Sequence, residues 1–200
     1  ARWNGMSEED IQLATLCGLL HDIGKVSVPD EILKKPAKLT KDEYATVQEH
    51  ARNGYQILST KLIDDHVKNA ALMHHERCDG SGYPLHLTAN KIDIYAKMVA
   101  IADVYDAMTS ARVYRDAICP FRVIAILEEE GFQCYDTNFI LTFLSRIANS
   151  YIQTTVKLSD GRKGKIVFIN KEHLSKPTVQ IGNTFVDLSK EKDLSIESMC

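Results

Sequence analysis

Hydrophobic and polar positions in the first three-quarters of the chain recur with the spacing of α-helices. In residues 7–24, Ser7 is placed as an N-cap ahead of three acidic residues, and the apolar residues that follow form one broad face. Gly24 stands where this helix would end, because glycine is the usual residue just past a helix C-terminus. The segment therefore predicts an amphipathic helix with a defined start and stop.

Further helices are predicted by the same kinds of signal. Residues 40–58 begin with Thr40 and, three positions later, a glutamate, which is the spacing of a capping box. They predict one helix with His50 near its middle. Gly131 is placed to end a later helix. The remaining predicted helices cover residues 29–33, 64–76, 90–110, 120–131 and 137–151.

From about residue 152 the pattern changes to short alternating runs. Residues 154–170 contain two strand-like runs on either side of an Asp160–Gly161 turn, and residues 177–188 contain two more. We therefore predict a mostly α protein, with a helical bundle over residues 1–151 and a small β appendage over residues 152–200.

The composition narrows the class of protein. With 44% apolar and 26% charged residues, the chain has the balance of a soluble globular protein. Its net charge of −3 does not favour binding to a nucleic-acid polymer or to an anionic membrane. A small anionic ligand remains compatible with it, because such a ligand needs only local positive charge. No apolar run is long enough to cross a bilayer. Five scattered cysteines without CxxC spacing indicate free thiols in a reducing cytoplasm.

Four histidines and two aspartates on four predicted helices carry the main candidate chemistry: His21, Asp22, His50, His74, His75 and Asp103. Taken alone, His50 is compatible with an ordinary core histidine and Asp22 with a solvated charge. Asp103 lies inside an apolar run, where a buried carboxylate is costly unless it is paired or binds a metal. Helical bundles build metal sites from side chains that project inward from facing helices.

The ligand types indicate which metals such a site would hold. Imidazole and carboxylate ligands without thiolates suit iron, manganese, nickel or zinc. Neighbouring residues such as His74 and His75 point about 100° apart on a helix. The two residues of such a pair therefore bind two different metals, or one binds a metal and the other contacts a ligand of that metal. An aspartate bridges two cations through its two oxygens. This is the layout of a two-metal hydrolase, in which a bridging hydroxide attacks phosphorus.

Three stretches resemble one known family: "HDIGK" from residue 21, "HHERCDGSGYP" from residue 74 and "IADVYDAMTSARVYR" from residue 101. They are similar to the HD-GYP branch of the HD phosphohydrolase superfamily, from about residue 7 to about residue 150. The resemblance implies an HD-type helical bundle that hydrolyses the bacterial second messenger cyclic di-GMP to pGpG or GMP. It also implies two or three divalent transition-metal ions, iron or manganese ahead of nickel or zinc.

The resemblance implies a role for each matching residue. It makes the six histidines and aspartates named above the metal ligands, with Asp22 as the catalytic bridge. Lys25 would lie beside the scissile phosphate, where its charge stabilises the transition state. The implied substrate-binding residues are Arg112, Arg115, Gly82, Tyr83 and Pro84. The two arginines are implied to clamp phosphates, although by residue type alone they are also compatible with a solvated pair.

One departure from the family pattern concerns the metal ligands. The family usually supplies a further histidine from a helix upstream of the His-Asp pair, whereas no histidine precedes His21 here. Either this ligand lies before Ala1 or the first metal has one ligand fewer than in the family, and we expect the former.

Three hypotheses about function stay open at this point. The first is an active cyclic di-GMP phosphodiesterase. The second is a catalytically weak or inactive member that binds the dinucleotide, or binds a GGDEF-domain protein through the GYP loop. The third is a hydrolase of a mixed cyclic dinucleotide. We expect a cytoplasmic protein, and a homodimer is compatible with all three hypotheses.

Overall fold

The computed structural model describes residues 1–111 and 116–200. Over these residues the helices are α1 (Glu8–Leu20), α2 (Asp30–Leu33), α3 (Lys41–Gln48), α4 (His50–Ser59), α5 (Asp65–Met73), α6 (Ile94–Thr109), α7 (Pro120–Cys134) and α8 (Thr137–Ser150). The strands are β1 (Thr155–Leu158), β2 (Lys163–Phe168), β3 (Thr178–Ile181), β4 (Thr184–Asp187) and β5 (Ile196–Met199). Short 3₁₀ helices cover Arg2–Asn4 and Ile23–Ser27. The predicted order of a helical part followed by a small β part is confirmed.

Helix α1 begins as predicted but ends earlier. The Ser7 hydroxyl accepts a hydrogen bond from the Asp10 amide (3.1 Å), and the Asp10 carboxylate accepts one from the Ser7 amide (3.2 Å). The helix ends at Leu20, so the prediction that Gly24 ends it is wrong. Gly24 is buried against α4, where an added Cβ would lie 1.9 Å from the His50 carbonyl oxygen. This glycine lets two backbones approach closely instead of ending a helix.

The helix predicted over residues 40–58 is two helices, α3 and α4, with a break at Glu49. Thr40 caps α3 as predicted. His50 is the first residue of α4, so its expected position near the middle of one helix is wrong. The His50 ring nitrogen Nδ1 donates a hydrogen bond to the Val47 carbonyl (2.6 Å), which lies in the last turn of α3. The side chain thus bridges the two helices at the break.

Helix α7 continues past the position where Gly131 was expected to end it, so that prediction is also wrong. Gly131 is buried, and an added Cβ would lie 2.5 Å from the Ile140 Cδ1 atom of α8. The glycine therefore permits close packing of α7 on α8, and its helical backbone needs no special conformation.

The β part is one antiparallel sheet with the strand order β4-β3-β2-β1-β5. The sequence pattern predicts four strands; the fifth, β5, pairs with β1 through Lys157 and Ser198. One face of the sheet packs on the helices, because Val156 and Ile166 are fully buried in the same core as Leu144 of α8. The domain division between residues 151 and 152 stays a prediction.

A second core cluster positions the residues discussed below. It joins α1, α4, α5 and α6 through small and medium side chains: Cys17, Leu58, Val67, Ala70, Ala71, Tyr95 and Val99. The connection from α5 to α6 covers residues 74–93 and contains the cis peptide bond Tyr83–Pro84. None of the helices in the described part of the chain has the length and apolar character of a membrane span.

Candidate metal centre

The six predicted ligands come from four chain segments that meet in the helical part. They follow α1 (His21, Asp22), open α4 (His50), follow α5 (His74, His75) and lie within α6 (Asp103). Small residues make this approach possible. Besides Gly24, Gly54 of α4 is buried, and an added Cβ there would lie 3.3 Å from the Ala71 Cβ of α5.

The Asp22 carboxylate lies at the middle of the cluster. Its Oδ1 atom is 3.3 Å from His50 Nε2 and 3.7 Å from His74 Nε2. Its Oδ2 atom is 3.3 Å from His21 Nε2 and is paired with the Lys25 ammonium. The two oxygens of one carboxylate thus face two different sets of side chains.

Asp103 closes the cluster from α6. Its Oδ1 atom is 3.8 Å from His21 Nε2, and its Oδ2 atom is 4.0 Å from His75 Nδ1. One ligand atom from each of four residues lies within 4.8 Å of the other three: Asp22, His50, His74 and His75. The spacing of these four ligand atoms leaves room for one cation.

The histidine rings are oriented by backbone carbonyls. Three Nδ1 atoms contact carbonyls in the preceding turns: His21 to Gly18 (2.7 Å), His50 to Val47 (2.6 Å) and His74 to Ala71 (3.0 Å). Because a carbonyl only accepts hydrogen bonds, each Nδ1 carries a proton, and in a neutral ring the Nε2 atom then keeps a lone pair. Metal-binding histidines in proteins are commonly held in this way.

Unpaired polar atoms indicate that the cluster fits a cation. The Nε2 atoms of His50 and His74 are 3.2 Å apart, and two lone pairs at that distance repel unless a positive charge lies near them. Within the described part of the chain, His21 Nε2 and Asp22 Oδ1 are the buried side-chain atoms without a hydrogen-bond partner. Buried polar atoms of that kind are rare unless a ligand satisfies them. The residues present therefore fit a divalent metal ion.

Burial keeps three of the imidazoles neutral. It lowers the pKa values of His50, His74 and His75, and for His74 and His75 the neighbouring histidines add to the effect. The neutral imidazole is the form that binds metals, since a protonated ring has no free lone pair. These three side chains are thus in the binding-competent state at neutral pH.

The carboxylates supply the negative charge. Burial acts against the charged form of Asp22, but the adjacent His21 ring and Lys25 ammonium outweigh it and hold the pKa of that carboxyl well below its ordinary value. Burial likewise opposes the charge of His21, while the nearby carboxylates of Asp103 and Asp22 outweigh it and raise its pKa to about 10. A bound cation would replace this proton between the two carboxylates.

The predicted substrate loop lies against the cluster. The Tyr83 ring stacks on the His75 ring, with centroids 4.7 Å apart and an angle of 26° between the planes. The Pro84 carbonyl accepts a hydrogen bond from the Arg52 guanidinium (2.9 Å). An added Cβ on Gly82 would lie 2.5 Å from the His75 carbonyl oxygen, so the loop backbone packs directly on that residue. Arg112 and Arg115 lie outside the described residues.

Sequence reasoning gave no role to Glu76, a candidate residue that directly follows the histidine pair. Its side chain is buried, and its carboxylate accepts hydrogen bonds from the backbone of the loop. The signal in the sequence was an acidic residue that directly follows two histidines and precedes a glycine-rich loop.

Comparison with known proteins identifies the family. A model of the HD domain family matches residues 1–139. A solved HDG"Y"P protein of Bdellovibrio bacteriovorus has the same fold, with a TM-score of 0.60 and 22% identity, over 74% of this chain and 47% of that one.

Curated relatives are more similar in sequence. A cyclic di-GMP phosphodiesterase of Pseudomonas aeruginosa is 37% identical over 172 residues, which cover 86% of this chain and 41% of that protein. The cyclic di-GMP phosphodiesterase response regulator RpfG of Xanthomonas campestris is 42% identical over 66% of this chain and 35% of its own length. A 3'3'-cGAMP-specific phosphodiesterase of Vibrio cholerae is 41% identical over 63% and 29%. The chain spans less than half the length of these relatives.

Proposed function

The chain belongs to the HD domain family, in its HD-GYP branch, and we propose that it is a metal-dependent phosphodiesterase that hydrolyses cyclic di-GMP to pGpG or GMP. The observation that carries the proposal is the Asp22 carboxylate, whose oxygens face His50 on one side and His21 on the other. A carboxylate in these surroundings suits two adjacent divalent cations. The names of several relatives support the substrate.

In this proposal the six ligands divide between two ions. Asp22 would be held in common, one ion would take its other ligands from His50, His74 and His75, and the second would take them from His21 and Asp103. We propose iron or manganese, with nickel or zinc as alternatives, because imidazole and carboxylate ligands suit all four. When bound, such ions lower the pKa of water and polarise phosphate oxygens.

Lys25 and the loop act on the substrate. The Lys25 side chain is about one-third exposed. If cations bind Asp22, the Lys25 ammonium is released from that carboxylate. It would then bind a phosphate oxygen and stabilise the negative charge that develops in the transition state. Gly82, Tyr83 and Pro84 would contact the dinucleotide beside His75. The phosphate-clamping roles of Arg112 and Arg115 stay predictions.

A second candidate substrate is a mixed cyclic dinucleotide. Relatives of Vibrio cholerae named 3'3'-cGAMP-specific phosphodiesterases are 37–42% identical to this chain, a range similar to that of the cyclic di-GMP enzymes. The same centre would hydrolyse either phosphodiester, so the difference would lie in the groups that contact the bases.

Several other expectations remain proposals of the same kind. They are a GGDEF-domain partner bound through the GYP loop, a homodimer and a cytoplasmic location. A catalytically weak member that only binds the dinucleotide is the competing proposal, and it differs from the main one in turnover alone.

Metal analysis and a turnover assay test the proposal. Both cyclic di-GMP and 3'3'-cGAMP should be supplied to this chain and to one extended upstream, each loaded with Mn²⁺ or Fe²⁺. Asp22→Ala should abolish metal binding and hydrolysis. Asp65→Ala, which removes an exposed carboxylate at the start of α5, is the matched control and should change neither.

Two results would contradict the proposal in different ways. Activity in Asp22→Ala would show that the ligand assignment is wrong. Bound metal without turnover of either dinucleotide in the extended chain would leave the binding-only alternative.

A further inference from the structure

Glu76 is a buried charged residue with an unusual set of partners. Its side chain is 2% exposed. Its Oε1 atom accepts a hydrogen bond from the Leu85 amide (2.6 Å), and its Oε2 atom accepts one from the Leu87 amide (2.9 Å). Hydrogen bonds from amides to a carboxylate are short and strong, and a buried carboxylate without them would be costly. Both oxygens therefore fix the loop backbone over residues 85–87.

The segment that Glu76 holds is attached to His75 at three points. The Tyr83 amide donates a hydrogen bond to the His75 carbonyl (3.2 Å), and the Tyr83 ring stacks on the His75 ring at 4.7 Å. Gly82 packs so closely on the same carbonyl that no side chain fits between them. The position of the loop and the orientation of His75 are thus set together.

His75 depends on this contact more than the other histidines of the cluster do. His21, His50 and His74 are each held by a carbonyl that accepts from Nδ1. Among the residues that the structure describes, no carbonyl holds the His75 ring, whose Nδ1 faces Asp103 at 4.0 Å. The stacked Tyr83 ring takes the place of that carbonyl.

We infer that Glu76 is a positioning residue for the metal centre: it holds residues 82–87 so that Tyr83 keeps the His75 ring facing Asp103. The inference rests on the proposed function, because it gives His75 the role of a metal ligand. Glu76 acts only through the loop and contacts neither the ions nor the substrate.

The chain offers a matched control for this role. Glu128 of α7 binds two backbone amides in the same way, those of Leu174 (2.7 Å) and Ser175 (3.1 Å). These amides belong to the connection between β2 and β3, away from the histidine cluster. Replacing Glu128 by glutamine therefore makes the same chemical change without touching the loop beside His75.

The experiment compares Glu76→Gln with Glu128→Gln, first in the metal-free protein. Glutamine keeps the shape but offers one acceptor oxygen and a donor group, so one amide loses its partner. Hydrogen exchange should accelerate about tenfold or more in Glu76→Gln at whichever of the Leu85 and Leu87 amides loses its acceptor. In Glu128→Gln the acceleration should appear at the Leu174 or the Ser175 amide instead. Unchanged exchange at Leu85 and Leu87 would overturn the inference.

Calorimetric titration with Mn²⁺ then measures the effect on the centre. Glu76→Gln should bind the same number of ions about tenfold more weakly, the size expected for a residue that orients a ligand. Glu128→Gln should bind like the wild type. Wild-type affinity in Glu76→Gln, or an equal loss in Glu128→Gln, would contradict the inference.

A double variant tests whether Glu76 acts through Tyr83. If it does, Tyr83→Ala should weaken Mn²⁺ binding by itself, and adding Glu76→Gln should weaken it little further. Fully additive losses would refute that route. Glu76→Asp, which cannot reach both amides, replaces Glu76→Gln if the latter fails to fold. If the wild type binds no Mn²⁺, the proposed function fails as well, whereas unchanged loop exchange overturns this inference alone.

Discussion

Replacing Gly24 by alanine should separate the two segments that carry Asp22 and His50. The added Cβ would lie 1.9 Å from the His50 carbonyl oxygen, 2.4 Å from the Gly54 amide nitrogen and 2.9 Å from the His50 carbonyl carbon. All three are main-chain atoms, so no side chain can rotate away. Ordinary contact begins at 3.4 Å, and the 3₁₀ helix must therefore move from α4 by about 1.5 Å.

The size of the effect follows from that displacement. Overpacking of this kind typically costs about 1–3 kcal/mol, and a rigid backbone neighbour favours the upper end of the range. Asp22 lies two residues before Gly24, so the 3.3 Å distance from its Oδ1 atom to His50 Nε2 would lengthen as well. A misplacement of about 1 Å in a catalytic group can reduce activity by about 10²-fold. Metal affinity should fall with it.

Urea unfolding of the metal-free protein and Mn²⁺ titration measure the two effects separately. Gly18→Ala is the control. Gly18 lies equally near the site, because its carbonyl contacts His21 Nδ1, but an added Cβ there meets nothing within 4 Å. Alanine in that helix should stabilise the fold by up to about 1 kcal/mol and leave Mn²⁺ binding intact. If Gly24→Ala is as stable as the wild type and binds Mn²⁺ equally well, the close backbone approach does not position the site.

The remaining predictions concern charge and packing. The pKa of His21 is raised from 6.5 to about 10 in the metal-free fold, so its proton stabilises that fold fully below pH 6.5, and this contribution is lost as the pH rises towards 10. Because a bound ion displaces this proton, Mn²⁺ affinity should rise between about pH 7 and pH 9, by up to about tenfold per pH unit. Calorimetry in buffers of different ionisation enthalpy should detect the released proton. A pH-independent affinity would contradict the role of His21. Lys25→Ala should lower kcat about 10²-fold with unchanged metal stoichiometry; Lys35→Ala, which removes an ammonium paired with Glu43, serves as the control and should keep full activity. Leu144→Ala should cost about 2–5 kcal/mol in urea unfolding, since this side chain is fully buried in the core shared by α8 and the sheet; a loss under about 1 kcal/mol would mean that the sheet adds little to that core.

Local patterns were sufficient to predict most of the helices and their starts. Capping signals at Ser7 and Thr40 and the apolar periodicity act over a few residues, so they can be read without knowing the fold. The cluster of histidines and aspartates could also be anticipated, because inward-facing ligands on neighbouring helices of a bundle converge. Its resemblance to a known family then indicated which histidines belong together.

Features that depend on a distant neighbour could not be read in this way. Gly24 and Gly131 look like helix stops in the sequence, but each is a glycine because another element packs against it. β5 was missed because its four residues become a strand only by pairing with β1, about 40 residues earlier in the chain. The role of Glu76 likewise cannot be predicted until the loop amides that it binds are known. In each case the partner decides the role.

The histidine cluster also lies where several helices end, and this has an electrostatic consequence. His21 and His74 directly follow the last residues of α1 and α5, and His50 comes two residues after the end of α3. Each helix C-terminus carries a partial negative charge, equivalent to about half an elementary charge, because its last carbonyls have no amide partner within the helix. The C-termini of α1 and α5 therefore attract cations to this point, whereas the C-terminus of α3 is offset by the N-terminus of α4, which begins at His50. Attraction for positive charge is thus built into the course of the main chain, and the side chains are left to select which ion binds.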